Sequence, residues 1–405
     1  MLPLKGIRVL DVSRVLAGPL CTQTLGGLGA EVIKIESIGD GDELRQWPPL
    51  RGITGAPFLA YNRNKKSIAL DLKRPEALEL VVRLAGLSDV FVESGSAGAT
   101  CRLGLGYEVL RKVRPDLVYC SISGFGQVGP LRRAKGYDLM LQAFSGMMAM
   151  TGEPGGDPVR SPFSPIDQGT GNQAVIGILS ALMRKGQTGQ GALVEVSLLE
   201  TATQLMSYHL QSYWETGVVP ARISTGHPSL VPYQTFETAD RPILVGIAND
   251  RLWRAFCAEF SLGHIAADPR FATNPKRVEN RAETVALVQG VLGSHHADDL
   301  IARLIDRGIP CSPINTLKEL SQHEHLGALG MIAEYAHPEL GSVKAVLQPI
   351  TFDTRKEQTN VPPPMLGQHT LEVLALAGCS PQEIESYVRS GIAHVHRTEA
   401  RESRR

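Results

Sequence analysis

The sequence predicts an α/β protein built on a parallel β-sheet, with a smaller α+β domain inserted in the chain. Short β-branched runs alternate with helix-like stretches in the first third of the chain, and parallel strands need such crossover connections. Hydrophobic residues make up 43% of the 405 residues, as expected for a folded globular chain. From residue 227 the pattern changes to paired strands and charged helical sequence, which indicates a second domain.

The N-terminal elements follow one another in a regular order. We expect strands at residues 7–13, 31–36, 67–72, 89–93 and 117–123, and helices at 21–28, 75–87 and 107–113. In open parallel sheets, ligands bind beyond the carboxyl ends of the strands. The segments that follow the strands are therefore the candidates for a site, namely 14–19, 37–45, 73, 94–98 and 124–130.

Later elements set the expected domain bounds. Helical spacing from residue 167 to 186 precedes a strand at 192–198, and the inserted part begins with paired strands at 233–236 and 243–247 before a helix at 249–260. We expect a large domain from residues 1–197, a linker at 198–226, a small α+β domain at 227–318, and a linker with the C-terminal part of the large domain at 319–405.

Charge and composition exclude several classes of function. The 41 basic residues balance 41 acidic ones, so no global field favours nucleic acid or an anionic membrane. No apolar run is long enough for a membrane-spanning helix, and charges interrupt the place of a signal sequence, so we expect a cytoplasmic protein. The six scattered cysteines lack C-x-x-C spacing and indicate reduced packing thiols.

Metal and nucleotide motifs are weak or missing. The histidine pairs at 295–296, 323–325 and 394–396 lack a further ligand at helical spacing, and we expect surface histidines and no metal. The string GFGQVG at 124–129 matches G-x-G-x-x-G, but Pro130 and a basic, turn-like stretch follow instead of a helix. A glycine loop is the better interpretation than a dinucleotide site.

Asp167 has two interpretations, which the pattern alone leaves open. It stands in PIDQGTGN, directly before helical spacing, where aspartate commonly caps a helix. The same helix terminus also stabilises a reactive carboxylate and a nearby oxyanion. Gly169 and Gly171 would then let a substrate approach the backbone closely.

Basic residues flank several of the predicted strands. They are Arg63, Lys65, Lys66, Lys73, Arg102, Arg132, Arg133 and Lys135. If they converge at one sheet edge they form a phosphate site, and otherwise they are a solvated charged face. Composition does not separate these two interpretations.

The ordered motifs resemble the class III coenzyme A-transferases. The matching strings are SRVLAGP at 13–19, LGAEVIKIE at 28–36, NRNKKSIALDLK at 62–73, SGFGQVGP at 123–130, GYD at 136–138, Asp167, TGQG at 188–191, GIP at 308–310 and LGQHT at 366–370. They span nearly the whole chain in family order.

The resemblance implies a fold and a mechanism. The fold is a Rossmann-like large domain built from both chain ends with an inserted smaller domain, and two such chains interlock as a homodimer. The aspartate nucleophile of the family corresponds to Asp167. CoA enters as a substrate rather than as a permanently bound cofactor, with an acyl-CoA and a carboxylic acid as partners. A mobile loop over the active site corresponds to Ser224, Thr225, Gly226 and His227.

The resemblance also implies a set of CoA contacts. They fall on Leu16, Ala17, Leu70, Asp71, Leu72, Lys73, Ser94, Gly95, Ser96, Arg102, Lys135, Gly136, Tyr137 and Asp138. The string VESGSAG at 92–98 departs from the common VENFxPG form and lacks its Asn and aromatic residue.

Two features narrow the activity. Leu16 and Ser37 stand where formyl-CoA transferases carry Gln and Arg, so the sequence is more similar to the succinyl-CoA:dicarboxylate branch. We therefore expect polar side chains at 224–227, with charge from Arg14 or Arg222, to bind the distal carboxylate of a short dicarboxylate, unless these residues only shape the lid.

An α-methylacyl-CoA racemase-like activity is an alternative, but Tyr137 stands where racemases carry a proton-shuttling His. A non-catalytic CoA-binding protein is a further alternative.

Overall fold

A seven-stranded sheet organises most of the chain in the computed structural model, which describes residues 1–396. Residues 397–405 of the expected C-terminal part lie outside the described residues. The strands of all the sheets, in chain order, are β1 (Arg8–Asp11), β2 (Glu31–Ser37), β3 (Leu50–Arg51), β4 (Thr54–Gly55), β5 (Lys65–Leu70), β6 (Val90–Ser94), β7 (Val118–Ser123), β8 (Ala192–Ser197), β9 (Tyr233–Phe236), β10 (Ile243–Gly246), β11 (Cys311–Pro313), β12 (Ile332–His337), β13 (Gly341–Val346) and β14 (Ala393–His394).

Helices alternate with the strands along the chain. They are α1 (Ala17–Gly27), α2 (Ala56–Tyr61), α3 (Pro75–Gly86), α4 (Ala99–Arg102), α5 (Tyr107–Val113), α6 (Asp138–Phe144), α7 (Met147–Met150), α8 (Pro165–Thr188), α9 (Leu198–Leu205), α10 (Ser207–Thr216), α11 (Asp250–Glu259), α12 (Gly263–Ala267), α13 (Asn274–Glu279), α14 (Arg281–Leu292), α15 (Ala297–Asp306), α16 (Leu317–Gln322), α17 (Glu324–Ala328), α18 (Thr370–Leu376) and α19 (Pro381–Arg389). A short 3₁₀ helix spans Glu43–Arg45.

The sheet has the strand order β14-β5-β2-β1-β6-β7-β8, and every neighbouring pair is parallel except β14 with β5. The predicted parallel sheet is therefore confirmed. Strands buried on both faces favour continuous apolar runs, and β6 and β7 begin with such runs and carry their polar residues towards their carboxyl ends. Two apolar clusters pack against the sheet, one including α1 and α8 and the other including α3 and α18.

The chain separates into two compact units. The first comprises residues 1–147, 160–217 and 327–405, and the second comprises 148–159 and 218–326. The first unit thus draws on both chain ends. Residues 198–226, expected to form a linker, include α9 and α10.

The second unit contains an antiparallel sheet of order β11-β10-β9 with its own apolar core, which centres on Trp253 and Phe256. The pairing of β9 with β10 was expected from the sequence. The C-terminal strand β14 and the hairpin of β12 and β13 were not predicted.

Close helix packing explains the two glycines that the functional interpretation of Asp167 assigned to substrate approach. A Cβ atom on Gly171 would lie 2.7 Å from the carbonyl oxygen of Ala17, and one on Gly169 would lie 2.9 Å from Thr201 Cγ2. These glycines therefore let α8 pack against α1 and α9, and the substrate interpretation was wrong. The cysteine prediction also needs one correction, because Cys101 is exposed while Cys21, Cys120, Cys257 and Cys379 are buried.

Candidate functional site

A cleft of about 690 Å³ opens at the carboxyl edge of the parallel strands in the first unit. Its walls come from the segments that follow β1, β2, β5, β6 and β7. These are the segments that the alternating pattern selected from the sequence. The glycine loop at 124–129 is followed by turns rather than by a helix, and α6 begins only at Asp138.

Most of the predicted site residues of the first unit line this cleft. They are Leu16, Ala17, Leu72, Ser94, Gly95, Ser96, Lys135, Gly136, Tyr137 and Asp167. Five others do not contribute to its wall, namely Leu70, Asp71, Lys73, Arg102 and Asp138. Leu70 is fully buried in β5, whereas Lys73 and Arg102 are exposed. Ser224–His227 belong to the second unit.

Asp167 is the third residue of α8 and does not cap it. Ser164 holds the N-cap position without a side-chain hydrogen bond. The carboxylate of Asp138 accepts hydrogen bonds from the backbone N–H groups of Ile166 at 2.8 Å and Asp167 at 3.0 Å. A residue from another helix thus caps α8, which leaves the Asp167 side chain available for chemistry.

The environment of Asp167 disfavours its charged form. Burial, and then the negative charge of Asp138, raise the pKa of Asp167 from 3.8 to about 7. Gln168, the next residue, donates a hydrogen bond to the hydroxyl of Tyr61 at 3.3 Å. A strongly raised carboxyl pKa in a cleft is typical of functional sites.

Two buried ion pairs lie within the first unit. Lys65 Nζ lies 3.1 Å from Asp11 Oδ2, and Lys34 Nζ lies 2.9 Å from Asp42 Oδ2, with all four side chains fully buried. Burial lowers the pKa of Lys65 to about 8. Neither interpretation that the sequence left open, a phosphate site or a solvated face, fits Lys65, because this buried side chain pairs with Asp11 inside the protein.

These buried groups fix the loop after β1. Lys34 donates to the carbonyl oxygen of Ser13 at 2.9 Å, and the N–H of Val15 donates to Asp42 Oδ1 at 3.3 Å. Val15 has a φ of +67°, which is unfavourable for a β-branched side chain. The surrounding contacts therefore hold a strained loop against the cleft, as is common at functional sites.

The other basic residues differ in what they contact, and Arg132 and Arg133 are exposed without lining the cleft. Arg63 donates to the carbonyl of Val346 at 2.7 Å, and Lys66 pairs with Glu31 and Glu372, so neither reaches the cleft. Lys135 and Arg14 do line it. The sequence could not separate these groups, because both flank the strands.

Glu93 is a site residue that sequence reasoning missed. It lines the cleft at 7% exposure, and its carboxylate accepts hydrogen bonds from Ser121 and from Thr100 at 2.8 Å. Burial raises its pKa. The available signal was a glutamate at the end of the strand predicted at 89–93, directly before the segment 94–98.

In the second unit, the polar side chains at 224–227 already have partners. Ser224 Oγ donates to Glu153 Oε1 at 2.6 Å, and the hydroxyls of Thr225 and Thr235 lie 2.7 Å apart. His227 Nδ1 accepts a hydrogen bond from the N–H of Ser229 at 3.1 Å. These contacts agree with the alternative in which the side chains shape a loop.

Two kinds of feature are absent from residues 1–396. Within that part of the chain, no group of three or more His, Cys, Asp or Glu side chains is placed to hold a metal ion. None of the helices described there is both long and apolar enough to span a membrane.

The chain matches one family and several named relatives. The family described as CoA-transferase family III matches residues 4–370. A "Succinyl-CoA:glutarate CoA-transferase" of Mus musculus is 37% identical over 98% of this chain and 92% of its own length. A "Succinate--glutarate CoA-transferase" of Agrobacterium fabrum is 35% identical over 92% of this chain and 95% of its own.

A solved structure shares the fold. The crystal structure of a CAIB/BAIF family protein from Brucella suis superposes with a TM-score of 0.81 at 35% identity, covering 93% of this chain and 99% of that one. The sequence and fold similarities thus extend over nearly the same residues.

Proposed function

Because the chain belongs to CoA-transferase family III, we propose that it transfers CoA from succinyl-CoA to a short dicarboxylate, with Asp167 as the nucleophile. The observation that carries the mechanism is the half-buried carboxylate of Asp167 on the cleft wall, with its pKa raised to about 7. CoA thioesters act as substrates, with no permanently bound cofactor, and the cytoplasm is the proposed location. The named relatives are transferases, which favours this activity over the racemase and non-catalytic alternatives.

The reaction proceeds through two kinds of covalent intermediate. The Asp167 carboxylate attacks the thioester carbonyl of the donor, and the C–S bond breaks to give a mixed anhydride and CoA thiolate. The thiolate attacks the aspartyl carbonyl, which releases the donor acid and leaves an aspartyl-CoA thioester. The acceptor carboxylate repeats these steps in reverse, leaves as its CoA thioester and regenerates the Asp167 carboxylate. Each exchange retains an activated acyl group, which is the advantage of covalent catalysis here.

Backbone dipoles support the negative charge that develops in these steps. Leu16 and Ala17, at the N-terminus of α1, line the same cleft as Asp167, and α1 has no side-chain cap. The positive end of a helix stabilises an oxyanion or a thiolate placed near it.

CoA is proposed to bind along the strand ends. The walls at 94–96 and 135–137 hold the pantetheine and adenine parts, and Lys135 supplies positive charge within the cleft. Lys73 and Arg102 are exposed cations that can pair with its phosphates. Asp138 serves this site indirectly, through the cap that it forms on α8.

The segment Ser224–His227 is proposed as the lid. Its role follows from the resemblance, in which the corresponding loop covers the reacting acyl group. Excluding water matters because water would hydrolyse the anhydride.

We also propose that the protein forms an interlocked homodimer. In the first unit, α8, α9 and α10 expose large apolar side chains, among them Ile176, Met183, Leu205 and Trp214. Exposed apolar patches of this kind mark interaction surfaces. Sedimentation velocity of the full chain should give the mass of a dimer, and a monomer at micromolar concentration would contradict this part.

The central experiment replaces Asp167 with Ala or Asn. Either variant should lose CoA transfer while keeping CoA binding, because neither side chain can form the anhydride. Incubating the wild type with succinyl-CoA and hydroxylamine should convert Asp167 to a hydroxamate, detected by peptide mass spectrometry.

Asp157→Asn, which changes an exposed aspartate, is the matched control and should retain activity. Wild-type turnover in Asp167→Asn, or labelling of another carboxylate, would contradict the assignment.

A further inference from the structure

A buried carboxyl group in the first unit holds two hydroxyl groups of the cleft. Glu93 lies in β6 opposite Ser121 of β7 and is 7% exposed. Its Oε2 accepts a hydrogen bond from Thr100 Oγ1 at 2.8 Å, and its Oε1 accepts one from Ser121 Oγ. Among residues 1–396 no cation pairs with Glu93, so these two hydroxyls offset the burial of its carboxyl group.

The two donors connect Glu93 to different parts of the cleft wall. Thr100 lies in α4, which follows the segment 94–98. Ser121 Oγ in turn accepts a hydrogen bond from Gln127 Nε2 at 3.0 Å, and Gln127 belongs to the glycine loop at 124–129. Glu93 thus links both α4 and the glycine loop to the sheet.

The helix α4 has little packing of its own. It has four residues, Ala99–Arg102, and none of them is buried. Its N-cap, Gly98, has a φ of +75° and no side chain that could accept a hydrogen bond. A single helical turn is not stable by itself in water. The hydrogen bond from Thr100 to Glu93 therefore contributes directly to the orientation of this turn on the sheet.

Arg102 lies on the outer side of the same turn. Thr100 and Arg102 are two residues apart, so their side chains leave the helix in different directions. A Cβ atom on Gly98 would lie 3.7 Å from Arg102 Nη1, which places the guanidinium over the segment 94–98. Residues 94–96 of that segment line the cleft. The orientation of α4 therefore determines where this exposed cation stands beside the cleft wall.

We propose that Glu93 is a positioning residue for CoA recognition, which acts through Thr100 to hold α4 in the orientation that brings Arg102 to a phosphate group of CoA. This inference rests on the proposed function, in which CoA binds along the strand ends and Arg102 pairs with one of its phosphates. All the residues involved belong to the first unit.

The test is a double-mutant cycle measured by calorimetric titration with CoA. Thr100→Val removes the hydroxyl from a side chain of nearly the same shape and should weaken CoA binding about 3- to 10-fold. Arg102→Ala should weaken binding about 10- to 100-fold. In the Arg102→Ala protein, Thr100→Val should add little further loss, because the cation that Thr100 helps to place is already absent.

Conservative variants identify the hydroxyl and the carboxyl group as the cause. Thr100→Ser keeps the hydroxyl and should bind CoA like the wild type. Glu93→Met removes both acceptor oxygens and should weaken binding at least as much as Thr100→Val, whereas Glu93→Gln keeps one acceptor oxygen and should weaken it less. Thr188→Val is the matched control, because it changes an exposed threonine whose hydroxyl bonds within α8, and it should leave CoA binding unchanged.

Steady-state kinetics separate positioning from a loss of folded protein. Thr100→Val should raise KM for succinyl-CoA and leave kcat near the wild-type value, because Asp167 is unchanged. A smaller folded fraction would instead lower kcat at an unchanged KM, and that result would overturn the inference.

Three binding results would also overturn it. The first is additive losses in the cycle, which would show that Thr100 contacts CoA independently of Arg102. The second is wild-type CoA affinity in both Thr100→Val and Glu93→Met. The third is wild-type affinity in Arg102→Ala, which also contradicts the phosphate contact in the proposed function. Labelling of Asp167 by hydroxylamine in the wild type is independent of all three, so the assignment of the nucleophile is tested separately.

Discussion

Replacing Asp167 with Asn should stabilise the protein at alkaline pH. The substitution keeps the shape of the side chain and removes a negative charge that the folded protein disfavours. Burial and the neighbouring Asp138 carboxylate together raise the pKa of Asp167 from 3.8 to about 7. The charged form of Asp167 therefore opposes folding, and Asn does not.

The pH window follows from the two pKa values. Between pH 3.8 and about 7, the unfolded chain has released this proton and the folded protein retains it. The unfolded state then binds fewer protons, so wild-type stability falls as pH rises through this window. At about 1.4 kcal/mol for each pKa unit, the shift corresponds to about 4.5 kcal/mol, and partial solvent contact of Asp167 reduces it to about 2–3 kcal/mol.

Urea titrations of wild type and Asp167→Asn at pH values from 4 to 9 provide the measurement. Wild type and Asp167→Asn should have nearly equal free energies of unfolding at pH 4, and Asp167→Asn should be more stable by about 2–3 kcal/mol at pH 8. Asp157→Asn, at an exposed position, controls for the loss of one carboxylate. If Asp167→Asn gains nothing between pH 4 and 8, the carboxylate is not desolvated and the reasoning fails.

Four further outcomes are expected. Lys135→Ala, Lys73→Ala and Arg102→Ala should each weaken CoA binding in calorimetric titrations by about 1.5–3 kcal/mol, and unchanged binding would make these residues a solvated face. In the wild type, kcat/KM should rise with pH to a plateau above about 7 as the nucleophile ionises, and a flat profile from pH 5 to 9 would contradict this. Asp138→Asn should move that rise to lower pH, because it removes a neighbouring negative charge, and an unmoved profile would refute the coupling. Lys65→Met should cost about 3–5 kcal/mol in urea titrations with CoA binding retained, since it leaves a buried aspartate unpaired.

The location of the cleft could be predicted because it depends on topology. Alternating strands and helices require parallel strands with crossovers, and their carboxyl ends meet at one edge. The segments 14–19 and 94–98 were selected on this ground, and both contribute residues to the cleft. The interpretation needed no knowledge of side-chain contacts.

The roles of individual polar residues depend on tertiary contacts and could not be predicted in the same way. Lys65 and Lys135 are both cations flanking predicted strands, yet one is buried against Asp11 and the other lines the cleft. Likewise, local sequence favoured Asp167 as the cap of its own helix, whereas Asp138, 29 residues away, performs that function. A sequence pattern shows only which residues are neighbours along the chain, so it does not identify a contact partner that folding brings close.

The cap that Asp138 forms is also part of the chemistry of the site. A carboxylate bound to the N–H groups of Ile166 and Asp167 stabilises α8 and at the same time places a negative charge beside the nucleophile. That charge makes Asp167 more basic, and more basic carboxylates are stronger nucleophiles, yet a pKa near 7 still leaves a large ionised fraction at neutral pH. The stability that the folded protein loses when Asp167 ionises thus has the same origin as the reactivity of this carboxylate. A substitution that reduces the loss of stability should therefore also reduce the reactivity.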